Sequence, residues 1–203
     1  MTETKTDELV GRGNKEGADL FREWFDSLAD AAKNGRGAAY VFVMGSMAEL
    51  LHVFDFPLVL PEITSLQTAV RRVADTYLAE AEDYGYSPDI CGYVKADMAV
   101  QLRGGQHPMG QIPKPSVAVM SNACNTYIKW AEIWERMYGI PLFVLDVPAT
   151  RQAGGQFQPG SSDFERDRKY VEAQVRELIT LCEQVSGKKF DIDRLRETLK
   201  YAN

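Results

Sequence analysis

Hydrophobic and polar positions repeat along this chain with two different periods. From Glu16 to Lys33 the apolar residues recur at helical spacing, which predicts a first helix. Its apolar face carries Leu20, Phe21, Trp24, Phe25 and Leu28. Continuous apolar runs are instead typical of strands that are buried on both faces. The runs AAYVFVM, SVAVM and IPLFVLDVP are of this kind.

Predicted helices separate these strands. The pattern predicts a short helix in MAELLHVF, one long helix from Thr64 to Asp83, and further helices in GYVKADMAVQL and NTYIKWAEIWERMY. FPLVLPEITS is predicted to be extended and RGGQHPMGQIPKP to be a loop. This alternation predicts the α/β fold class, with a Rossmann- or flavodoxin-like parallel sheet flanked by helices.

The same pattern divides the chain into three predicted segments. Residues 1–37 form an N-terminal helical segment, residues 38–162 an α/β domain, and residues 163–203 a pair of C-terminal helices. The last part of the α/β domain, residues 149–162, is a polar loop of a length that is often functional. Because helical sequence continues to the end, we expect the C-terminal helices to lead to a second domain.

Charge and composition exclude several classes of function. The net charge of −6 argues against nucleic acid as the main partner, because phosphate binding needs clustered Lys and Arg. No apolar run approaches the roughly 20 residues that span a bilayer, and the polar N-terminus lacks a signal peptide's apolar core. We therefore expect a cytoplasmic protein without a membrane partner. Its three cysteines are too few and too widely spaced for a disulfide framework.

Two of the cysteines are placed where a thiolate would be stabilised. Cys124 follows the strand SVAVM at the start of a predicted helix, and Cys91 opens the helix GYVKADMAVQL. The positive end of a helix dipole favours a thiolate, which can act as a metal ligand or a nucleophile. The alternative is that both are ordinary buried cysteines. Cys182 belongs to the apolar series of a later helix, which predicts core packing.

A few further residues are candidates for chemistry. Ser46 follows the strand AAYVFVM and could contact a bound carbonyl, or it could cap the next helix. Glu62, beside Pro61, could shuttle protons, or it could simply favour the helix dipole. His52 is expected to be packed or at an edge, and His107 to be solvated in its loop. Two histidines so far apart give little support to a zinc site or a catalytic triad.

Several stretches together resemble one known family, the 2-hydroxyacyl-CoA dehydratases and benzoyl-CoA reductases. The most specific element is the C-x-Y-V-K-A-D run from Cys91 to Asp97. The stretches LPEITSLQTAVRR, SNACNTYIKWAEIWERMYGIPLFVLDVP and E-Q-V-S-G-x-x-F-D-x-D-R-L support it. The similarity is strongest to the B-type subunit of the ATP-dependent benzoyl-CoA reductases, of which this chain resembles the N-terminal half.

The resemblance implies a [4Fe–4S] cluster held by cysteine thiolates, with Cys91 and Cys124 as two of the ligands. A further ligand would come from a second α/β domain, so the α/β segment of this chain is expected to be a cluster-binding domain. By the same resemblance, Ser46 would polarise a thioester carbonyl and Glu62 would move protons. The implied partners are a sibling cluster subunit and an ATP-hydrolysing activator subunit, and the implied substrate is an acyl-CoA thioester.

The function that follows is low-potential electron transfer to an aromatic acyl-CoA, as an oxidoreductase subunit of the benzoyl-CoA reductase type. ATP would act only through the activator. The alternatives are a 2-hydroxyacyl-CoA dehydratase subunit, which removes water through a ketyl radical, and an assembly module that holds no cluster.

Overall fold

A computed structural model describes residues 3–43, 46–148 and 159–202 of the chain. Its helices are α1 (Glu3–Lys33), α2 (Ala48–Val53), α3 (Pro61–Val70), α4 (Ala74–Tyr84), α5 (Gly92–Leu102), α6 (Asn125–Tyr138), α7 (Ser162–Ser186) and α8 (Ile192–Ala202). Its strands are β1 (Ala38–Val41), β2 (Leu58–Val59), β3 (Gln106–His107), β4 (Gly110–Gln111), β5 (Pro115–Ser121) and β6 (Leu142–Leu145).

The main sheet has four parallel strands in the order β2-β1-β5-β6. Its two central strands, β1 and β5, pair with Ala39 opposite Val117 and Val41 opposite Val119. Both are apolar and almost completely buried, as expected of parallel strands that are covered on both faces. The predicted flavodoxin-like parallel sheet with flanking helices is therefore confirmed.

Successive residues of β1 face opposite sides of the sheet and belong to two different cores. Tyr40 packs with residues of α1, α5 and α6, including Phe25, Met98 and Trp130. The next residue, Val41, packs with α2 and α7 on the other side. Cys182 of α7 is completely buried there, as the apolar series predicted.

The sequence predicts the bounds of some helices accurately and those of others less well. The bounds of α5 and α6 coincide with the predicted helices GYVKADMAVQL and NTYIKWAEIWERMY. Helix α1 is longer than predicted, since it begins at Glu3 rather than at Glu16. Its residues 11–18 are all exposed, so these turns carry no apolar face for periodicity to detect. The predicted segment boundaries at residues 37 and 162 stay predictions.

The single helix predicted from Thr64 to Asp83 is wrong. The chain forms α3 and α4, separated by a turn in which Arg72 has a positive φ of 59°. The N–H groups of Arg72 and Val73 donate to the carbonyl oxygens of Ala69 and Thr68, which is a Schellman motif. Glycine usually occupies the left-handed position of this motif. An arginine stands there instead, so the sequence carries no signal for the end of the helix.

The extended conformation predicted for FPLVLPEITS is also wrong in its second half. Only Leu58–Val59 form a strand, and α3 begins at Pro61. Proline is favoured at the first helical position, because its fixed φ suits a helix and its missing N–H would have no partner there. Pro61 was interpreted as a break in an extended stretch, whereas it starts a helix.

The predicted loop from Arg103 to Pro115 contains a small antiparallel hairpin formed by β3 and β4. A Cβ atom on Gly105 would lie 2.3 Å from the carbonyl oxygen of Ile112, so only glycine allows this close approach. His107 is buried, which corrects its predicted solvation. Its ring stacks on Phe25, and its Nε2 lies 2.9 Å from the carbonyl oxygen of Thr64.

Two predictions fall partly or wholly outside the described residues. Most of the loop 149–162 lies there, as does the end of the predicted strand AAYVFVM. Across the three ranges that the structure does describe, none of the helices combines the length and the apolar character needed to cross a bilayer.

Candidate functional site

The carboxyl ends of β1 and β5 mark the point where the chain changes direction across the sheet. The crossover after β1 leads to β2 on one side, and the chain then returns past β1 to form β5 on the other. Ligands in open α/β folds bind in the crevice at such a point, where neighbouring crossover connections diverge. Ser46 follows β1 along the chain, and Cys124 follows β5.

Cys124 is the N-cap residue of α6. Its backbone is extended, with φ −137° and ψ 127°, and its carbonyl oxygen accepts a hydrogen bond from the N–H of Tyr127. Its side chain makes no capping hydrogen bond and is half-buried against the core. The thiol therefore lies at the positive end of a helix of 14 residues.

The segment that leads into Cys124 is tied to the neighbouring strand end. The side chain of Asn122 donates to the Asp146 carboxylate at 2.5 Å, and it accepts from the N–H of Val147 at 3.1 Å. Since Asp146 and Val147 directly follow β6, these bonds join the ends of β5 and β6. The position from which α6 starts is thereby fixed.

Cys91 is the N-cap residue of α5 and is exposed. Its thiol also makes no capping hydrogen bond. The loop that precedes it is held by Lys95, whose ammonium group donates to the Pro88 carbonyl oxygen at 2.8 Å and to the Glu82 carboxylate at 2.6 Å. The side chain of Lys95 is only 7% exposed, whereas that of Glu82 is 37% exposed, so the ammonium end of the pair is the buried one. This is a physical reason for the lysine in the C-x-Y-V-K-A-D run.

Glu62, in the first turn of α3, joins the residues that follow β1 to the first turn of α6. One carboxylate oxygen accepts from the N–H of Val43 at 2.6 Å, and the other accepts from the hydroxyl of Tyr127 at 2.5 Å. The Tyr127 ring stacks on Phe42, with centroids 4.0 Å apart and planes 10° from parallel. A second bond, from the Ser65 hydroxyl in the second turn of α3 to the Tyr93 carbonyl oxygen, joins α3 to the first turn of α5.

The N-terminal halves of α3, α5 and α6 are therefore linked through side chains. Three of the predicted residues, Glu62, Cys91 and Cys124, lie in or directly before the first turns of these helices. Sequence reasoning missed Tyr127 as a partner of Glu62. Its position one helical turn after Cys124 was the available signal, because such a residue lies on the same helix face as the cysteine.

Ser46 is half-buried, and its hydroxyl oxygen accepts a hydrogen bond from the N–H of Ala48 at 3.1 Å. It thus satisfies an amide at the start of α2, as the capping alternative proposed. The N-cap position itself is occupied by Met47. A role of Ser46 towards a thioester carbonyl stays a prediction.

A buried carboxylate lies deeper between the two cysteine-bearing helices. Asp97 of α5 is 2% exposed and accepts hydrogen bonds from the indole N–H groups of Trp130 and Trp134 of α6, at 2.7 and 2.8 Å. Burial raises the pKa of its carboxyl group to about 6, although these bonds and one from Gln101 favour the ionised form.

The third cysteine differs chemically from the other two. Burial raises the pKa of the Cys182 thiol to about 12, so this group stays protonated at neutral pH. A protonated, completely buried thiol is neither a nucleophile nor a metal ligand. Cys91 and Cys124 are thus the two cysteines with access to a ligand.

Within residues 3–43, 46–148 and 159–202, no group of three or more His, Cys, Asp or Glu side chains is arranged to hold a metal ion. Cys91 and Cys124 fit an iron–sulfur cluster in donor type, since such clusters are bound by thiolates. Two thiolates are half of a four-cysteine ligand set. The described residues therefore fit part of a cluster site.

The family model for 2-hydroxyglutaryl-CoA dehydratase, D-component, matches residues 14–203. The B subunit of benzoyl-CoA reductase from Thauera aromatica is 36% identical over 178 residues, which cover 87% of this chain and 40% of that relative. The (R)-2-hydroxyisocaproyl-CoA dehydratase alpha subunit of Clostridioides difficile is 28% identical over 183 residues, covering 90% and 42%. The (R)-phenyllactyl-CoA dehydratase alpha subunit of Clostridium sporogenes is 31% identical over 155 residues, covering 75% and 35%. The chain thus spans between 35% and 42% of the length of these three relatives.

Proposed function

Because the chain belongs to the 2-hydroxyglutaryl-CoA dehydratase D-component family, we propose that it is the cluster-holding part of a benzoyl-CoA reductase-type subunit. In this proposal Cys91 and Cys124 supply two thiolate ligands to a [4Fe–4S] cluster. The observation that carries the proposal is the placement of these two thiols, each at the N-cap of a helix and each without a capping hydrogen bond.

The surroundings of the two cysteines support ligand binding. A thiol used for packing would be enclosed in a core, as Cys182 is, whereas Cys91 is exposed and Cys124 is half-buried. Both thiols lie at the positive end of a helix dipole, which suits an anionic ligand set. The remaining ligands of the cluster would come from outside this pair of cysteines.

A bound cluster would supply single electrons at low potential to an aromatic acyl-CoA thioester. The residues of this chain would bind and orient the reactants around it. Glu62 would hold a proton at the carboxylate oxygen that now accepts the Tyr127 hydroxyl, while the Val43 N–H fixes its other oxygen. Ser46 would turn its hydroxyl hydrogen towards the thioester carbonyl, because its oxygen already accepts from Ala48.

The second candidate is a 2-hydroxyacyl-CoA dehydratase subunit. Two of the relatives described above carry dehydratase names, and their identities of 28% and 31% are close to the 36% of the reductase relative. The two reactions differ in their net consumption of electrons. A reductase consumes electrons, whereas a dehydratase releases water without net reduction. In either case we propose a sibling subunit and an ATP-hydrolysing activator subunit as partners.

Anaerobic reconstitution with iron and sulfide tests the proposal. We expect bound iron and an EPR signal after reduction in the wild-type chain, and a large loss of both in Cys91→Ala and in Cys124→Ala. Cys182→Ala is the matched control and should keep its iron, because its thiol is buried and protonated.

Iron that is retained in both Cys91→Ala and Cys124→Ala would refute the ligand assignment. No iron in any variant, even in a chain extended to the length of its relatives, would favour the assembly-module alternative. For a chain that does hold iron, turnover of aromatic against 2-hydroxyacyl thioesters in the complex with its partners would distinguish the reductase from the dehydratase.

A further inference from the structure

We infer that Asp97 is a positioning residue, which holds the two cysteine-bearing helices α5 and α6 in one register and so sets the separation of Cys91 and Cys124. That the alignment of α5 and α6 serves a bound cluster rests on the proposed function. The alignment itself rests on hydrogen bonds within the described residues.

The Asp97 carboxylate is shared by the two helices. One oxygen accepts from the Trp130 and Trp134 indoles of α6, and the other accepts from the Gln101 amide of α5 at 3.0 Å. All four residues are buried. Since a carboxylate between directional N–H donors has few alternative orientations, it fixes the rotation of α6 relative to α5.

Gln101 extends the connection by one more turn of each helix. Its side-chain oxygen accepts from the Tyr138 hydroxyl at 2.8 Å, and its amide group donates to the Tyr40 hydroxyl at 3.2 Å. Tyr40 lies in β1 and donates to the Pro113 carbonyl oxygen. The sheet, α5 and α6 therefore share one buried polar network.

The spacing of these contacts gives the direction of the helices. Asp97 lies six residues after Cys91, and Trp130 lies six residues after Cys124. At 1.5 Å per residue each contact is about 9 Å along its helix from the cysteine. Further along, Gln101 meets Tyr138, so the contacts advance in the same direction on both helices. The two N-termini, and with them the two cysteines, consequently lie at the same end of the helix pair.

A purely stabilising role explains Asp97 poorly. Its raised pKa indicates that hydrogen bonds do not fully offset the loss of hydration. Replacing a buried hydrogen-bonded group together with its partners by apolar side chains of the same shape can be nearly neutral or stabilising. By contrast, buried polar groups are known to select one alignment of packed helices among several possible ones.

The test measures the distance between the two cysteines without a cluster. Both thiols carry spin labels in a Cys182→Ala background of the full chain, and pulsed EPR gives the distribution of distances. We expect a narrow distribution with Asp97 and also with Asp97→Asn, whose side-chain oxygen can still accept from the indoles. Asp97→Ala should shift or broaden the distribution.

Leu178→Ala is the matched control. Leu178 is completely buried in the core on the opposite face of the sheet, so its truncation leaves a cavity far from α5 and α6. It should lower stability and leave the distance distribution unchanged. Where Asp97→Ala does not fold, Trp130→Phe and Trp134→Phe replace it, because each removes one donor and keeps an aromatic ring.

The inference is overturned if folded Asp97→Ala keeps the wild-type distribution, or if Leu178→Ala broadens it equally. If Asp97→Ala does not fold and the tryptophan variants are used instead, a wild-type distance distribution in both of them would overturn the inference.

Iron binding is measured separately on unlabelled protein. If neither this chain nor one extended to the length of its relatives binds iron, while the distances respond to Asp97→Ala, the proposed function is rejected and the positioning role is kept. Iron binding together with distances that Asp97→Ala leaves unchanged would support the proposed function and reject the positioning role.

Discussion

At the scale of single residues, burial decides which of several similar groups can do chemistry. Cys91, Cys124 and Cys182 are the same residue type, yet only the last is enclosed, with its thiol pKa raised to about 12. Likewise Asp97 is the carboxylate whose pKa rises to about 6, because burial removes water from its charged form. These differences arise from the number of neighbours and not from the side chains themselves.

Asp97 should make the stability of the protein depend on pH. The pKa of this carboxyl is about 6 in the folded chain against 3.8 for an unperturbed group, so the folded state keeps a proton that the unfolded state releases. Its contribution to the free energy of unfolding therefore falls as pH rises from about 4 to 6, by up to about 3 kcal/mol. Asp97→Asn removes this slope.

Urea unfolding of both chains between pH 4 and 7.5 provides the measurement. The free energy of unfolding of Asp97→Asn, minus that of the wild type, should increase across this range. Other groups titrate in both chains and cancel in the difference. A constant difference would contradict the raised pKa.

At the scale of elements, two helix ends with the same geometry carry different residues. Helix α3 ends in a Schellman motif with Arg72 at the left-handed position, and α5 ends in the same motif with Gly104 there, at φ values of 59° and 68°. Side chains with a Cβ atom are strained in this region, whereas glycine is not. The end of α5 could be predicted from its glycines, and the end of α3 was missed for lack of one.

Arg72→Gly should raise the free energy of unfolding by up to about 1 kcal/mol, because it removes the left-handed strain. The reciprocal change, Gly104→Ala, should lower it by about 1 kcal/mol, although no atom lies within 4 Å of the added Cβ. Both values come from chemical denaturation. A loss of stability in Arg72→Gly would show that interactions of the Arg72 side chain stabilise the fold by more than its left-handed backbone destabilises it.

At the scale of the whole molecule, Asp55 attaches the last helix to the turn that follows α2. This residue follows α2 and pairs with Lys188 and with Arg194 of α8, and Arg194 also donates to the Val53 carbonyl oxygen at 3.0 Å. The two cations hold the pKa of the Asp55 carboxyl well below its usual range. Helix α8 thereby joins the core that includes Cys182, on the face opposite α5 and α6.

Asp55→Asn should loosen α8 without affecting α5. Hydrogen exchange of residues 192–202 should accelerate, while residues 92–102 stay as protected as in the wild type. The effect should be at most about 1 kcal/mol, because the Asp55 side chain is 39% exposed and its ion pairs are screened by water. Since its pKa is lowered on folding, the contribution is present above about pH 4 and is lost as pH falls.

Asp193→Asn is the matched control for this experiment. Asp193 forms an exposed ion pair with Arg196 within α8 itself, so its loss should leave the docking of the helix unchanged. Equal exchange in Asp55→Asn and the wild type would show that apolar contacts alone attach α8.

The sequence by itself determined the features that depend on near neighbours. Helical sequence after turn-rich loops located α5 and α6, apolar runs located the central strands, and helix starts were found at Cys91 and Cys124. The core position of Cys182 followed in the same way. Each of these depends on residues a few positions apart, whose spacing is visible in the chain.

Only the tertiary structure decided which of these elements meet. The strand order β2-β1-β5-β6 brings Glu62 to Tyr127, 65 positions later, and packing of the two helices brings Asp97 to Trp130, 33 positions later. Such contacts leave no period in a single sequence, because strand pairing and core packing select them from many apolar alternatives. The candidate site is built from contacts of this second kind.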